Sequence, residues 1–132
     1  MKGGTMTKRV FHKEEGEKLT LKGPERTVYL IVEPATSDTK EFLMGIVEVP
    51  PGSSIPNHAH TEEEEIMFVY EGEGLATVDG AEYEVSKGSI VLTPIGCEHG
   101  FTNNGKEKLS IAFFYSPPGI EKLLRQRAAA QK

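Results

Sequence analysis

At 132 residues the chain has the length of one domain with one core and is too short for two comfortable ones. Its net charge of −5, with lysines and arginines scattered along the chain, argues against a nucleic-acid or anionic-membrane partner. No apolar run approaches the roughly 20 residues a spanning helix needs, residues 1–6 lack the apolar core of a signal peptide, and the lone Cys97 rules out an internal disulfide, so a cytoplasmic location is expected.

Taken in order, residues 1–9 form a polar N-terminal segment. Residues 10–12 and 19–21 read as short edge strands around a charged turn, with His12 at the surface. Residues 27–33 are β-branched and aromatic throughout and predict a strand buried on both faces. A turn at 34–38 leads to a second long strand at 41–49, closed by Pro50, Pro51 and Gly52. In the run from Glu65 to Tyr70, a period of two puts Glu65, Met67 and Val69 on one face and Ile66, Phe68 and Tyr70 on the other. Asp79-Gly80 between two alternating runs predicts a type I′ hairpin, because that turn needs positive φ at both centres.

Strands at 90–93 and 109–115 follow, then Ser116-Pro117-Pro118-Gly119 breaks the sheet. Ile120, Leu123 and Leu124 recur at helical spacing, which predicts one amphipathic helix over 120–130. Roughly ten short strands and one terminal helix make this an all-β chain, closed or sandwiched. The expected division is 1–9 as N-terminal segment, 10–117 as β-barrel and 118–132 as helix and tail.

The chemistry concentrates between Gly52 and Asn103, which holds three of the four histidines. His58 and His60 share a face if extended, Glu65 can return from a neighbouring strand, and His99 arrives on a third, with Phe101 on its face. Three imidazoles and a carboxylate suit a divalent first-row transition ion. The spacing of Gly52, His58, His60, Glu65 and Gly72, followed by that of Gly88, Pro94, Gly96, His99 and Asn103, resembles the two motifs of the cupin family. Ten fixed positions stand in register, each met by chance about one time in twenty.

That resemblance implies an antiparallel jelly-roll barrel, a double-stranded β-helix, with one divalent Fe, Mn, Ni, Co, Cu or Zn ion held inside by His58, His60, Glu65 and His99. Glu65 is then the catalytic-centre carboxylate, and Met67, Val69 and Phe101 are the pocket walls. Glu62, Glu63 and Glu64 fall at the rim, where one of them can serve as a general base. Cys97 fills a variable turn position, and Asn103 fixes the turn after the histidine strand.

Four protein ligands on an octahedral ion leave two adjacent positions, which suits a small oxygenated substrate binding through two oxygens. The tail from Ser116 resembles that of small quercetin-dioxygenase-like cupins and implies dioxygenase-type, oxidoreductase chemistry. A non-redox lyase, decarboxylase or isomerase and a non-catalytic small-ligand module are the alternatives. Small cupins commonly pair, and the apolar helix stripe together with the outer strands implies a homodimer.

Overall fold

The computed structural model describes residues 8–131; residues 1–7 of the polar N-terminal segment lie outside the described residues. A short 3-10 helix, Lys13–Glu15, precedes ten strands: β1 (Glu17–Leu21), β2 (Arg26–Val32), β3 (Leu43–Val49), β4 (Ser54–His58), β5 (Glu64–Glu71), β6 (Glu73–Val78), β7 (Ala81–Ser86), β8 (Ile90–Thr93), β9 (His99–Thr102) and β10 (Leu109–Ser116). One helix, α1 (Ile120–Ala130), ends the described chain. All pairings are antiparallel, in a six-stranded sheet ordered β1-β2-β3-β10-β5-β8 and a four-stranded sheet ordered β4-β9-β6-β7. This is the expected all-β jelly-roll architecture.

The core forms because strand parity sends one apolar set inward from each sheet. On β3, Leu43, Val47 and Val49 are buried, while Met44, Ile46 and Glu48 between them are only half-buried. On β5 the alternation is sharper: Glu65, Met67 and Val69 are buried, and Ile66 and Phe68 face outward. Leu21, Leu30, Leu109 and Ile111 join them in one continuous cluster. Each such side chain contributes roughly 1.5–3 kcal/mol on burial.

Residues 10–12 do not form the expected strand. His12 Nδ1 accepts from the Glu14 amide at 3.1 Å and Glu15 accepts from the His12 amide at 2.9 Å, and this reciprocal cap commits the segment to the 3-10 turn. Between β6 and β7 the predicted hairpin turn is present, with φ of 49° at Asp79 and 82° at Gly80.

The expected helix spans 120–130, and two of the three residues of its apolar stripe are turned onto its own barrel. Ile120 and Leu124 pack against the core and Ala128 is part of it. Arg125 bonds to Glu17 at 2.8 Å and to the buried Glu33, and Gln131 exchanges two hydrogen bonds with the Lys22 backbone at 2.8 and 3.2 Å. Leu123, the third residue of the stripe, stays 38% exposed.

Asn103 ties the barrel together beneath the histidine strand. It is fully buried, donates to Val49 O and Glu107 O at 2.8 Å each, and accepts from the Gly105 amide at 3.0 Å. Asn103→Ala leaves those backbone groups unpaired and is expected to lower unfolding free energy by about 2–3 kcal/mol, read from the urea midpoint. A loss within error would show that the turn holds without it.

Candidate metal centre

β4 and β9 lie side by side, with His58 directly opposite His99. His60 stands just past the end of β4, where its carbonyl accepts from the Gly96 amide at 2.8 Å. Glu65 comes from β5 of the other sheet, so the four side chains meet between the two sheets. Their donor atoms all lie within 4.8 Å of one another, and His60, Glu65 and His99 are buried. Imidazole centroids stand 4.8 Å apart for His58 and His60, 4.4 Å for His58 and His99, and 5.2 Å for His60 and His99.

The backbone fixes which nitrogen each of two rings presents. His58 Nδ1 lies 2.7 Å from Pro56 O and His99 Nδ1 lies 2.9 Å from Cys97 O. A carbonyl only accepts, so both Nδ1 atoms carry the proton and both Nε2 atoms are left as the donors for the site, the His99 one giving up its hydrogen bond to Glu65 were an ion to bind. Glu65 Oε1 sits 3.0 Å from His99 Nε2 and 3.5 Å from His60 Nε2. Burial pushes the Glu65 carboxyl up, but hydrogen bonds from His60 and His99 outweigh it and hold it below the usual range. Burial pushes His99 down, and its bond to Glu65 returns it above the ordinary value. His58 is lowered, chiefly by burial. An ionised buried carboxylate among three imidazoles is a donor set that fits a divalent transition cation and offers little to an all-oxygen ion.

A tyrosine not singled out from the sequence completes the site. Tyr115 on β10 pairs with Glu65, and its hydroxyl lies 3.2 Å from His60 Nε2. Burial pushes its phenol well above the ordinary value, and the Glu65 charge adds to this, so it stays protonated. Cross-strand pairing alone brings it there, and pairing is not written in either motif.

The four donors open onto a cavity of about 660 Å³. Met67 and Phe101 line it. Val69 does not: it is fully buried in the core opposite Ile111, because β5 carries it beyond the cavity floor on the same inward face. Of the rim glutamates only Glu63 lines the cavity. Cys97 is buried, and burial followed by Asp79 raises its thiol, so it is not an activated thiolate. His12 is exposed and far from the site's elements, in its capping role.

Residues 45–115 match the Cupin domain family, with every donor residue inside the match. The chain belongs to the cupin family. This cupin is 33% identical over 82 residues to the dimethylsulfoniopropionate lyase of Ruegeria pomeroyi, covering 62% of this chain and 53% of that protein. It is 34% identical over 98 residues to a gentisate 1,2-dioxygenase from Ralstonia sp, covering 70% of this chain and 27% of the dioxygenase. The cupin therefore spans about half the length of the lyase and about a quarter of the dioxygenase. Among solved structures, a predicted oxalate decarboxylase from Thermotoga maritima superposes with a TM-score of 0.73 at 24% identity, over 83% of this cupin and 100% of that chain. That likeness speaks for the fold. Among the described residues, no helix is long and apolar enough to cross a membrane.

Proposed function

We propose that this cupin is a metal-dependent enzyme acting on a small oxygenated organic substrate held through two oxygens. One observation carries the reading: His58, His60, Glu65 and His99 converge at the floor of a cavity of about 660 Å³, which is the size of a small-molecule site. One divalent Fe, Mn, Ni, Co, Cu or Zn ion per chain fits these donors and would polarise the bound oxygens. The protein supplies the rest. Met67, Phe101 and Phe113 give apolar walls that exclude water from an aromatic or short aliphatic body, and the backbone carbonyls of Pro56 and Cys97 hold two imidazoles in orientation.

Dioxygenase-type chemistry is the first form of this proposal, supported by the likeness to a gentisate dioxygenase. Tyr115 favours a second, non-redox form. Its protonated hydroxyl at the centre can give a proton to a carbon or oxygen of the substrate, as a lyase, decarboxylase or isomerase requires, and Glu63 at the rim can take one. Oxygen uptake with a panel of β-diketones, catechols and flavonols separates the two forms. Substrate-dependent uptake is expected of the first. Product formation under argon with no uptake selects the second, and ligand binding without turnover on any of them would reduce the protein to a binding module.

We also place the protein in the cytoplasm as a homodimer. Ile66, Phe68, Ile90, Leu92 and Phe114 stand exposed on adjoining strands β5, β8 and β10, and such a contiguous apolar face suits a second copy. Sizing at micromolar concentration is expected to give twice the chain mass, shifted to the monomer by Ile90→Lys with Leu92→Lys. A wild-type monomer defeats the pairing.

A further inference from the structure

We infer that the mouth of the cavity binds a carboxylate between Arg26 and Arg127, so that the ligand is an organic acid with an apolar body whose charged end lies apart from the histidine cluster. This rests on the proposed metal-dependent reading for the other end of the same cavity.

Arg26 opens β2, is buried to nine-tenths and lines the cavity. It donates one hydrogen bond, from Nη1 to Pro24 O at 2.7 Å, and its other N–H groups find no acceptor among the described residues. No carboxylate stands within ion-pairing distance of Arg26 among those residues, although the chain carries 20 aspartates and glutamates against 15 lysines and arginines. A largely buried cation without a counter-ion is unfavourable, and the unpartnered N–H groups of Arg26 are not sealed in the core but open toward the cavity that the residue lines.

Arg127 on α1 lines the same cavity and is also without an acidic partner among the described residues. The paired hydrogen bonds between Gln131 and the Lys22 backbone clamp the end of α1 onto the turn between β1 and β2, which brings both guanidiniums to one rim. Burial lowers the Arg26 guanidinium from its ordinary value, and the like charge of Arg127 adds to this, as expected of two cations facing one space. Lys22 lies on the same rim, and Glu63 is the one acid there. The rim is therefore cationic in a chain whose net charge is −5, a local field that draws an anion in. Between rim and floor, Val28, Val47, Ile55 and Phe113 give apolar walls that fit the uncharged middle of the ligand. A planar, forked guanidinium pair matches a carboxylate geometrically.

The test titrates 3-phenylpropionate and its methyl ester into the full chain, both metal-free and loaded with Zn(II), by calorimetry. The acid is expected to bind about tenfold or more tightly than the ester in both states, the size of a charge-assisted bidentate contact. Arg26→Gln should abolish that preference. Arg127→Gln, at an exposed helix position where folding is not at stake, should reduce it several-fold. Equal binding of acid and ester by the wild type overturns the inference, as does full preference in Arg127→Gln. A preference seen only with Zn(II) also overturns it, since the carboxylate would then sit on the ion. Failure to take up Zn(II) counts against the proposed function alone, because the metal-free titration still decides the role of the arginines.

Discussion

Replacing His58 by alanine is expected to weaken divalent-metal binding by more than about 100-fold while the barrel stays folded, since removing a donor costs more than removing a group that merely supports one. His58 is the clean choice because it is only half-buried and stands at the end of β4, so its loss leaves the core cluster intact. His99→Ala should abolish binding as well, but its side chain is fully buried against Glu65, and the change also opens a void and strips the carboxylate of its closest partner. His12→Ala, in the N-terminal cap, should change metal content not at all. Inductively coupled plasma mass spectrometry after dialysis, with far-ultraviolet circular dichroism on the same samples, reads all three. Stoichiometric metal in His58→Ala and His99→Ala would remove both from the ligand set.

Tyr115→Phe is expected to leave metal content unchanged and to lower kcat by about 100-fold or more, the size of a lost proton donor in general acid–base catalysis. The ring stays, packed edge-on against Phe113 and His60, so the fold loses only one hydrogen bond, worth about 1 kcal/mol. The effect should fall on kcat with KM little moved, since the hydroxyl acts on the reacting atoms and not on the apolar walls. Steady-state kinetics on a substrate from the oxygen-uptake and anaerobic panels measures it. Unchanged kcat would leave Tyr115 as a structural neighbour of His60 and weaken the non-redox form of the proposal.

How much of this was legible in the sequence depends on how local each feature is. The turn at Asp79 and Gly80 and the helix from Ile120 to Ala130 are set by neighbours within a few residues, and both stand where periodicity and turn chemistry put them. The inward face of β5 was equally legible, because parity is a local property. Depth is not: parity places Val69 on the same face as Glu65 but does not say that the cavity ends before it. Residues 10–12 are apolar enough to suggest a strand, and the reciprocal cap between His12 and Glu15 is the competing local signal that prevails. Gly72 shows why the motif spacing carries information: its φ is +85°, and a Cβ there would collide with Lys108 O.

Tyr115, Arg26 and Arg127 were out of reach for a different reason. Tyr115 joins Glu65 only across the pairing of β10 with β5, two strands far apart in the chain. Arg26 and Arg127 meet only because the terminal helix folds back over the barrel mouth. No spacing rule encodes such meetings, so the candidate metal donors announce themselves through their motif and the groups that would choose the substrate do not.

The most direct test of the central claim is metal content, by mass spectrometry, of the full chain purified without an affinity tag. About one Fe, Mn, Ni, Co, Cu or Zn ion per chain is expected, as three imidazoles and one carboxylate make a single site. Protein that is metal-free as purified and takes up none of these ions on incubation would contradict the metal-dependent reading outright.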